Sequence, residues 1–204
     1  HDEPYVNRFV VERSADVVLL LDVYPDPEGT QPEGAGLLDR SARAAASVAY
    51  HYLRRQNRVG LVEIGFHLRY LQPSIGVHHW YRLLARLAEV RVIARQVGPE
   101  ISSIPSAVLP AGALVIACSS LVSVEFDAVL LDLESRGLEV VLLYAGGAAE
   151  PGDERPTSAV ERAAECILAR ELEDRMDRLA RAGVHLVVWD PTVGLEGALR
   201  RAAS

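Results

Sequence analysis

Apolar residues along the chain form short uninterrupted runs that alternate with longer stretches of helical periodicity. The run at residues 17–21 (VVLLL) ends on Asp22 and lacks the polar–apolar alternation of a half-buried strand. Such runs are typical of strands that are buried on both faces. In residues 37–56, apolar side chains instead recur every three or four positions, which indicates an amphipathic helix. The chain is therefore predicted to alternate between buried strands and helices.

The same pattern predicts an element order along the whole chain. Ser158 and Glu161 have the spacing of a capping box and open a long helix, and Gly137 is the glycine expected just past a helix end. Residues 91–110 carry three prolines and are predicted to be irregular, with one short helix. The predicted strands are residues 16–21, 59–65, 68–71, 113–117, 139–144 and 184–189, with a turn at 73–76, and the other helices are 37–56, 78–90, 124–135 and 195–203.

Strands and helices that alternate with short joints predict one doubly wound α/β domain over residues 1–204, with a mainly parallel sheet and residues 68–71 as an antiparallel edge strand. In the common strand order 3-2-1-4-5-6, the sheet reverses direction between the strand that ends at Asp22 and the strand that ends at Ser119. A ligand crevice opens at such a point, outside the carboxyl ends of the strands. We therefore expect Asp22 and Ser119 to face each other.

Composition narrows the classes of partner. The formal net charge is -7, and all 21 basic residues are arginines that are dispersed along the chain. Because a phosphate-tracking protein gathers its basic residues on one face, nucleic acid is not an expected partner. The two cysteines, Cys118 and Cys166, have no metal or redox spacing, which favours a reducing compartment. No apolar run has the length of a bilayer crossing, so we expect this chain by itself to be soluble.

Several segments carry a family resemblance, in the order VNRFVVERSADVVLLLD, LLDRSARAAASVAYHYLRRQNRVGLVEIGFHLRYLQPSIG and HHWYRLLARLAEV. They resemble the actinobacterial branch of the domain of unknown function 58 family, whose members have a von Willebrand factor A-like domain. Members usually carry transmembrane segments upstream, and relatives are often encoded near MoxR-type AAA ATPases. The resemblance implies a C-terminal module of a longer membrane-anchored protein, on the cytoplasmic side, with such an ATPase as partner.

The resemblance also implies an ion site, which in A domains needs an Asp-x-Ser-x-Ser loop, a threonine from a later loop and an aspartate after the fourth strand. Asp22 matches the first aspartate, whereas Tyr24 and Asp26 stand where the two serines are expected. Tyr24 is a poor magnesium ligand because its phenol stays protonated. The threonine position, near His78, has no hydroxyl, and Ser119 stands near the missing aspartate. A conventional ion-dependent adhesion site is therefore expected to be lost, with at most a weak, degenerate magnesium or manganese site left at Asp22, Asp26 and Ser119.

Each candidate residue also has a purely structural interpretation. Asp22 is expected to cap its loop by accepting backbone N–H groups, as aspartate does in turns. His78 and His79 suggest zinc, but adjacent helical residues point about 100° apart and do not form one site. The glycine-bearing residues 29–36 lack the lysine of a phosphate-binding loop.

Two functions remain open at this point. The first is a non-enzymatic interaction module that contacts a protein partner through exposed loop residues, Tyr24, Pro25 and Asp26. The second is a hydrolase with a nucleophile at residues 118–120 (Cys-Ser-Ser) and help from Asp22 or His185. A nucleophile needs a base within hydrogen-bond reach, and the segment has no Gly-x-Ser-x-Gly elbow. We therefore expect the chain not to be an enzyme and to need no catalytic cofactor.

Overall fold

The computed structural model describes residues 16–24, 34–65, 67–90, 104–105, 108–146 and 158–189. The strands are β1 (Asp16–Asp22), β2 (Arg58–Ile64), β3 (Leu68–Ser74), β4 (Leu114–Ser119), β5 (Glu139–Tyr144) and β6 (His185–Val188). The helices are α1 (Gly34–Arg54), α2 (Val77–Ala88), α3 (Glu125–Ser135) and α4 (Ala159–Arg181). No helix in these ranges combines the length and apolar character that a membrane crossing requires.

The six strands form one sheet in the order β3-β2-β1-β4-β5-β6. All neighbours pair in parallel except β2 and β3, which are antiparallel. The predicted α/β class, the strand order and the antiparallel edge strand are therefore confirmed. The direction of the winding reverses between β1 and β4, whose carboxyl ends lie side by side.

Helices cover both faces of the sheet. Leu19 and Leu21 of β1 belong to the core that includes side chains of α1 and α2. Val18 and Leu20 belong to the core that includes side chains of α3 and α4. Because both faces of each central strand are buried, the strands read as continuous apolar runs in the sequence.

The structure changes some of the predicted boundaries. The turn expected at residues 73–76 is partly wrong, because β3 continues through Pro73 to Ser74. Proline is tolerated there because an edge strand has one side without ladder hydrogen bonds. The prediction that Gly137 lies just past a helix end is confirmed: α3 ends at Ser135, Gly137 has φ 75°, and its N–H donates to Glu134 O at 2.8 Å. The predictions for residues 91–103 and for a helix at 195–203 lie outside the described residues.

Candidate functional site

Asp22 and Ser119 end the neighbouring strands β1 and β4 and lie at the point where the sheet reverses direction. Each continues the alternation of side chains that point toward α3 and α4, after Leu20 in β1 and Ala117 in β4. Ser119 Oγ donates a hydrogen bond to Asp22 Oδ2 at 2.6 Å. The expectation that these two residues face each other is therefore confirmed.

Backbone groups complete the hydrogen bonding of this pair. The N–H of Tyr24 donates to Asp22 Oδ1 at 3.1 Å, so Asp22 caps its own loop as expected. The N–H of Leu121 donates to Ser119 Oγ at 2.8 Å. Leu121 has φ 53°, a left-handed conformation that a branched side chain rarely adopts. The Ser119 hydroxyl thus fixes the start of the loop between β4 and α3.

An arginine from α4 holds the same loop from the other side. Arg175 Nε and Nη2 each donate to a carboxylate oxygen of Asp127 at 2.8 Å, in a two-pronged pairing. Arg175 also donates to Leu121 O at 2.6 Å and to Ser123 O at 2.7 Å. The side chains of Arg175 and Asp127 are only 13% and 9% exposed. A nearly buried ion pair therefore joins α4, α3 and the β4–α3 loop.

Two more polar side chains, Ser123 and Glu125, lie directly before α3 and in its first turn. Ser123 Oγ donates to the Glu125 carboxylate, and the N–H of Glu125 donates back to Ser123 Oγ at 3.3 Å. Glu125 and Asp127 both lie in this first turn, where the helix dipole favours negative charge. We call Asp22, Ser119, Ser123, Asp127 and Arg175 the edge network.

Burial changes the protonation of Asp22. Loss of water around the carboxyl raises the pKa of Asp22 to about 7, against the lowering effect of the bonds from Ser119 and Tyr24. The charge of Asp127 raises this pKa further, and the charge of Arg175 lowers it. The hydrogen bonds that Arg175 donates to the Asp127 carboxylate raise the pKa of Arg175, so the guanidinium stays charged. Asp22 therefore changes its charge near neutral pH beside a fixed cation.

A comparison with models of protein families matches residues 1–141 to the family described as "Protein of unknown function DUF58". The chain belongs to this family. The match includes β1, β4 and α3, and therefore Asp22, Ser119 and Asp127, whereas α4 lies beyond it. Comparisons with curated proteins and with solved structures found no match.

The edge network of this DUF58 chain does not fit a magnesium or manganese ion. Such ions need several hard oxygen ligands, but Asp127 is paired with Arg175, and Ser119 Oγ is bonded to Asp22 and Leu121 N. Within the described residues, no group of three or more His, Cys, Asp or Glu side chains could hold a metal. Asp26 lies outside these residues, so the predicted site at Asp22, Asp26 and Ser119 stays a prediction.

The two adjacent histidines lie away from the network and apart from each other. His79 is buried, with Nε2 at 2.6 Å from Val59 O, whereas His78 is exposed. The angular argument against a shared zinc site therefore agrees with the positions of the two side chains.

The expectation that Tyr24 is an exposed loop residue is wrong. Its side chain is only 7% exposed and packs into the core beneath α3 and α4, together with Val62 and Ile64. Tyr24 continues the alternation of Leu20 and Asp22, so its ring turns toward that core, and its large apolar area favours burial there. Pro25 and Asp26, the other two residues predicted to contact a partner, lie outside the described residues.

The residues proposed for hydrolysis converge only in part: Asp22 contacts Ser119, whereas Cys118 and His185 lie apart from it. Cys118 belongs to the core on the α1 and α2 face, opposite to Ser119, and burial raises the pKa of its thiol to about 12. Ser119 is 0% exposed. Ser119 pairs with Tyr144 of β5, and Tyr144 pairs with Val188 of β6. His185 begins β6, three residues before Val188. Strand geometry puts His185 roughly 14 Å from Ser119.

Sequence reasoning missed Arg175 and Asp127 as members of this site. Their side chains meet across 48 positions of sequence, and no local spacing signals that contact. A signal was nevertheless present, because Arg175 falls on the same helical side as Leu172, Met176 and Leu179, the residues of α4 that pack against the core. An arginine within an apolar stripe predicts a buried partner.

Proposed function

We propose that this DUF58 chain is a von Willebrand factor A-like, non-enzymatic interaction module that presents the carboxyl edge of its sheet to a protein partner. One observation supports this most: the Ser119 hydroxyl is buried and is engaged on both sides, as donor to Asp22 and as acceptor from Leu121 N–H. Polar atoms that bond to one another hold a surface in shape and have little capacity left for a substrate.

The chemistry of nucleophilic attack supports the same proposal. A serine nucleophile needs an accessible oxygen and a base that takes its proton. Attack by Ser119 would require its Oγ to lose the hydrogen bond that it accepts from Leu121 N–H. That loop is also held by Arg175 through two backbone carbonyls. The network therefore favours a fixed loop over a reacting group.

The outer surface of this loop suits protein contact. Val124 is 61% exposed, although it lies directly before α3 and next to the buried Ser123. A loop that is already held in one shape loses little conformational entropy when a partner binds, which favours affinity. Val124 and the neighbouring turn therefore form one contact of the proposed interface.

The partner that we propose is a MoxR-type AAA ATPase, with the chain acting as the cytoplasmic-side module of a membrane-anchored protein. This part rests on the family resemblance, and within the described residues the edge network holds the loop that carries the exposed Val124. The proposed degenerate ion site would then have no role in binding.

Binding to the MoxR-type ATPase of the same genome tests the proposal. We expect saturable association in biolayer interferometry, weakened about tenfold by Val124→Asp, which places a charge in an apolar contact and costs about 1.4 kcal/mol. Tyr81→Asp is the matched control, because Tyr81 is 64% exposed on α2, on the other face of the sheet. Absence of association, or equal weakening by both variants, would contradict the proposed surface.

A serine hydrolase is the second candidate, and one observation favours it. Asp22, with a pKa of about 7, accepts a hydrogen bond from Ser119 Oγ at 2.6 Å, which is the reach and the basicity of a general base. A fluorophosphonate probe separates the two functions. Labelling that disappears in Ser119→Ala would support the hydrolase, whereas the interaction module predicts no labelling.

A further inference from the structure

Helix α4 is longer than the layer of sheet that it covers. It has 23 residues, which at 1.5 Å per residue span about 34 Å. The neighbouring β5 has 6 residues, or about 20 Å. Because α4 connects the carboxyl end of β5 to the start of β6, its N-terminal part lies on the carboxyl side of the sheet, where the edge network is found.

Among the side chains of α4 that the structure describes, those that pack against the body of the domain lie in its C-terminal part. Leu172, Met176 and Leu179 contact the core, and Arg175 reaches the loop at the carboxyl edge. In residues 159–171, every side chain that the structure describes is exposed. The N-terminal half of α4 therefore extends past the edge of the sheet, beyond the level at which Arg175 contacts the β4–α3 loop.

This projecting half carries an apolar side. Val160, Ile167 and Leu168 are 78%, 59% and 60% exposed. Together with Ala164 they are spaced by three or four residues, so they lie along one side of the helix, and we call these four residues the α4 stripe. Contiguous exposed apolar side chains of this kind mark interaction sites in soluble domains.

The charges around the α4 stripe are mainly negative. The projecting residues 159–171 contain three acidic side chains and two arginines, a net charge of -1, and Glu173 and Asp174 follow directly, so that residues 159–174 have a net charge of -3. A second copy of this chain would bring two such segments together, and like charges facing each other oppose association. A positively charged partner would instead be attracted. The charge therefore selects between the two kinds of occupant.

We propose that the α4 stripe binds an amphipathic helical segment of a protein partner, with an apolar side flanked by lysine or arginine. Such a segment packs its apolar side against Val160, Ile167 and Leu168 and pairs its basic residues with the acidic side chains of α4. This is the helix-against-apolar-surface mode of recognition. The inference rests on the proposed function for the partner being a protein, and adds where that partner binds and what chemistry it carries.

The two cysteines allow a selective test. Cys166 is exposed and Cys118 is buried, so a maleimide fluorophore attaches at Cys166. Cys166 is six residues beyond Val160, which places it about 120° around the helix from that residue and away from the α4 stripe. The probe is a synthetic peptide of roughly 18 residues, about five helical turns, with leucines on one side, lysines on the other and a quencher at one end.

We expect saturable quenching of the labelled chain by this peptide. Ile167→Asp should weaken the affinity about tenfold, because it puts a like-charged, hydrated group at the centre of the contact. Tyr81→Asp on α2 should leave the affinity unchanged and controls for the added negative charge. A peptide with glutamates in place of the lysines should bind at least about tenfold more weakly, and added salt should weaken the lysine peptide.

Other outcomes overturn the inference. Equal affinity of Ile167→Asp and the unchanged chain would place the peptide elsewhere. Dimerisation seen by light scattering without peptide, and abolished by Ile167→Asp, would identify a second copy as the occupant. If the peptide does not bind but the ATPase does, and Ile167→Asp leaves ATPase binding intact, this inference fails while the proposed function stands. If neither binds, both fail.

Discussion

Replacing Asp22 by asparagine should remove a pH dependence of stability that this one carboxyl causes. The pKa of Asp22 is raised from 3.8 to about 7 by burial in the folded chain. The unfolded chain therefore loses this proton near pH 3.8, whereas the folded chain keeps it until about pH 7. Asparagine has nearly the same shape and no proton to lose, so it reports what the charge costs.

The sign and the size follow from proton linkage. Between the two pKa values the folded state holds one more proton than the unfolded state, so the free energy of unfolding falls as the pH rises. Each pKa unit corresponds to about 1.4 kcal/mol, and about three units give a loss of ~4 kcal/mol. The stabilisation is complete below pH 3.8 and is lost by about pH 7.

Urea unfolding at pH values from about 4.5 to about 8 measures this dependence. We expect the stability of Asp22→Asn relative to the unchanged chain to rise by about 1.4 kcal/mol per unit up to about pH 7, then to level off. Asp39→Asn is the matched control, because the Asp39 side chain is 56% exposed. The reasoning would be refuted if the free energy of unfolding changed by the same amount with pH in Asp22→Asn and in the unchanged chain.

Three further predictions concern the edge network, the C-terminal end of α3 and the ion site. Arg175→Leu should cost about 3–5 kcal/mol in urea unfolding, because it leaves Asp127 buried without its partner, and Arg175→Lys should cost less; equal stability of Arg175→Leu and the unchanged chain would contradict the role of this pair. Gly137→Ala should cost about 1–2 kcal/mol, since φ is 75° there and no atom lies within 4 Å to crowd a Cβ; an unchanged melting temperature would contradict this. Millimolar magnesium should not raise the melting temperature, and a saturable rise that is lost in Asp22→Ala would instead support the ion site.

The fold was predictable from sequence because its strands are buried on both faces. The runs that end at Asp22 and Ser119 are apolar without alternation, and parallel strands covered by helices are the usual reason for that pattern. The antiparallel edge strand β3 was also predicted, but its end was not. Pro73 is typical of a turn in the sequence. A strand tolerates it here because β3 has no neighbouring strand on one side.

The site was predictable only in part. Asp22 and Ser119 were found because each follows a buried strand, and the ends of neighbouring parallel strands meet. Arg175 was missed because its partners come from distant segments of the chain. Tyr24 was expected at the surface because it precedes a proline-bounded loop, yet it still follows the alternation of β1. Local composition therefore misplaced a side chain whose direction the strand determines.

The projection of α4 was not predictable either. Its apolar residues form a regular stripe from Val160 to Leu179 in the sequence, and a regular stripe indicates burial along the whole helix. Periodicity describes one helix and contains no information on the length of the strands beside it. The structure covers Leu179 completely and leaves Val160 78% exposed.

Hydrogen exchange of this chain, alone and with the MoxR-type ATPase, tests the central claim most directly, because it locates a bound partner by the backbone amides that it protects. The account predicts slower exchange in residues 159–171 of α4 and in residues 120–124 of the β4–α3 loop. Protection confined to α2 and the edge strand β3, or no change anywhere when the ATPase is bound, would contradict it.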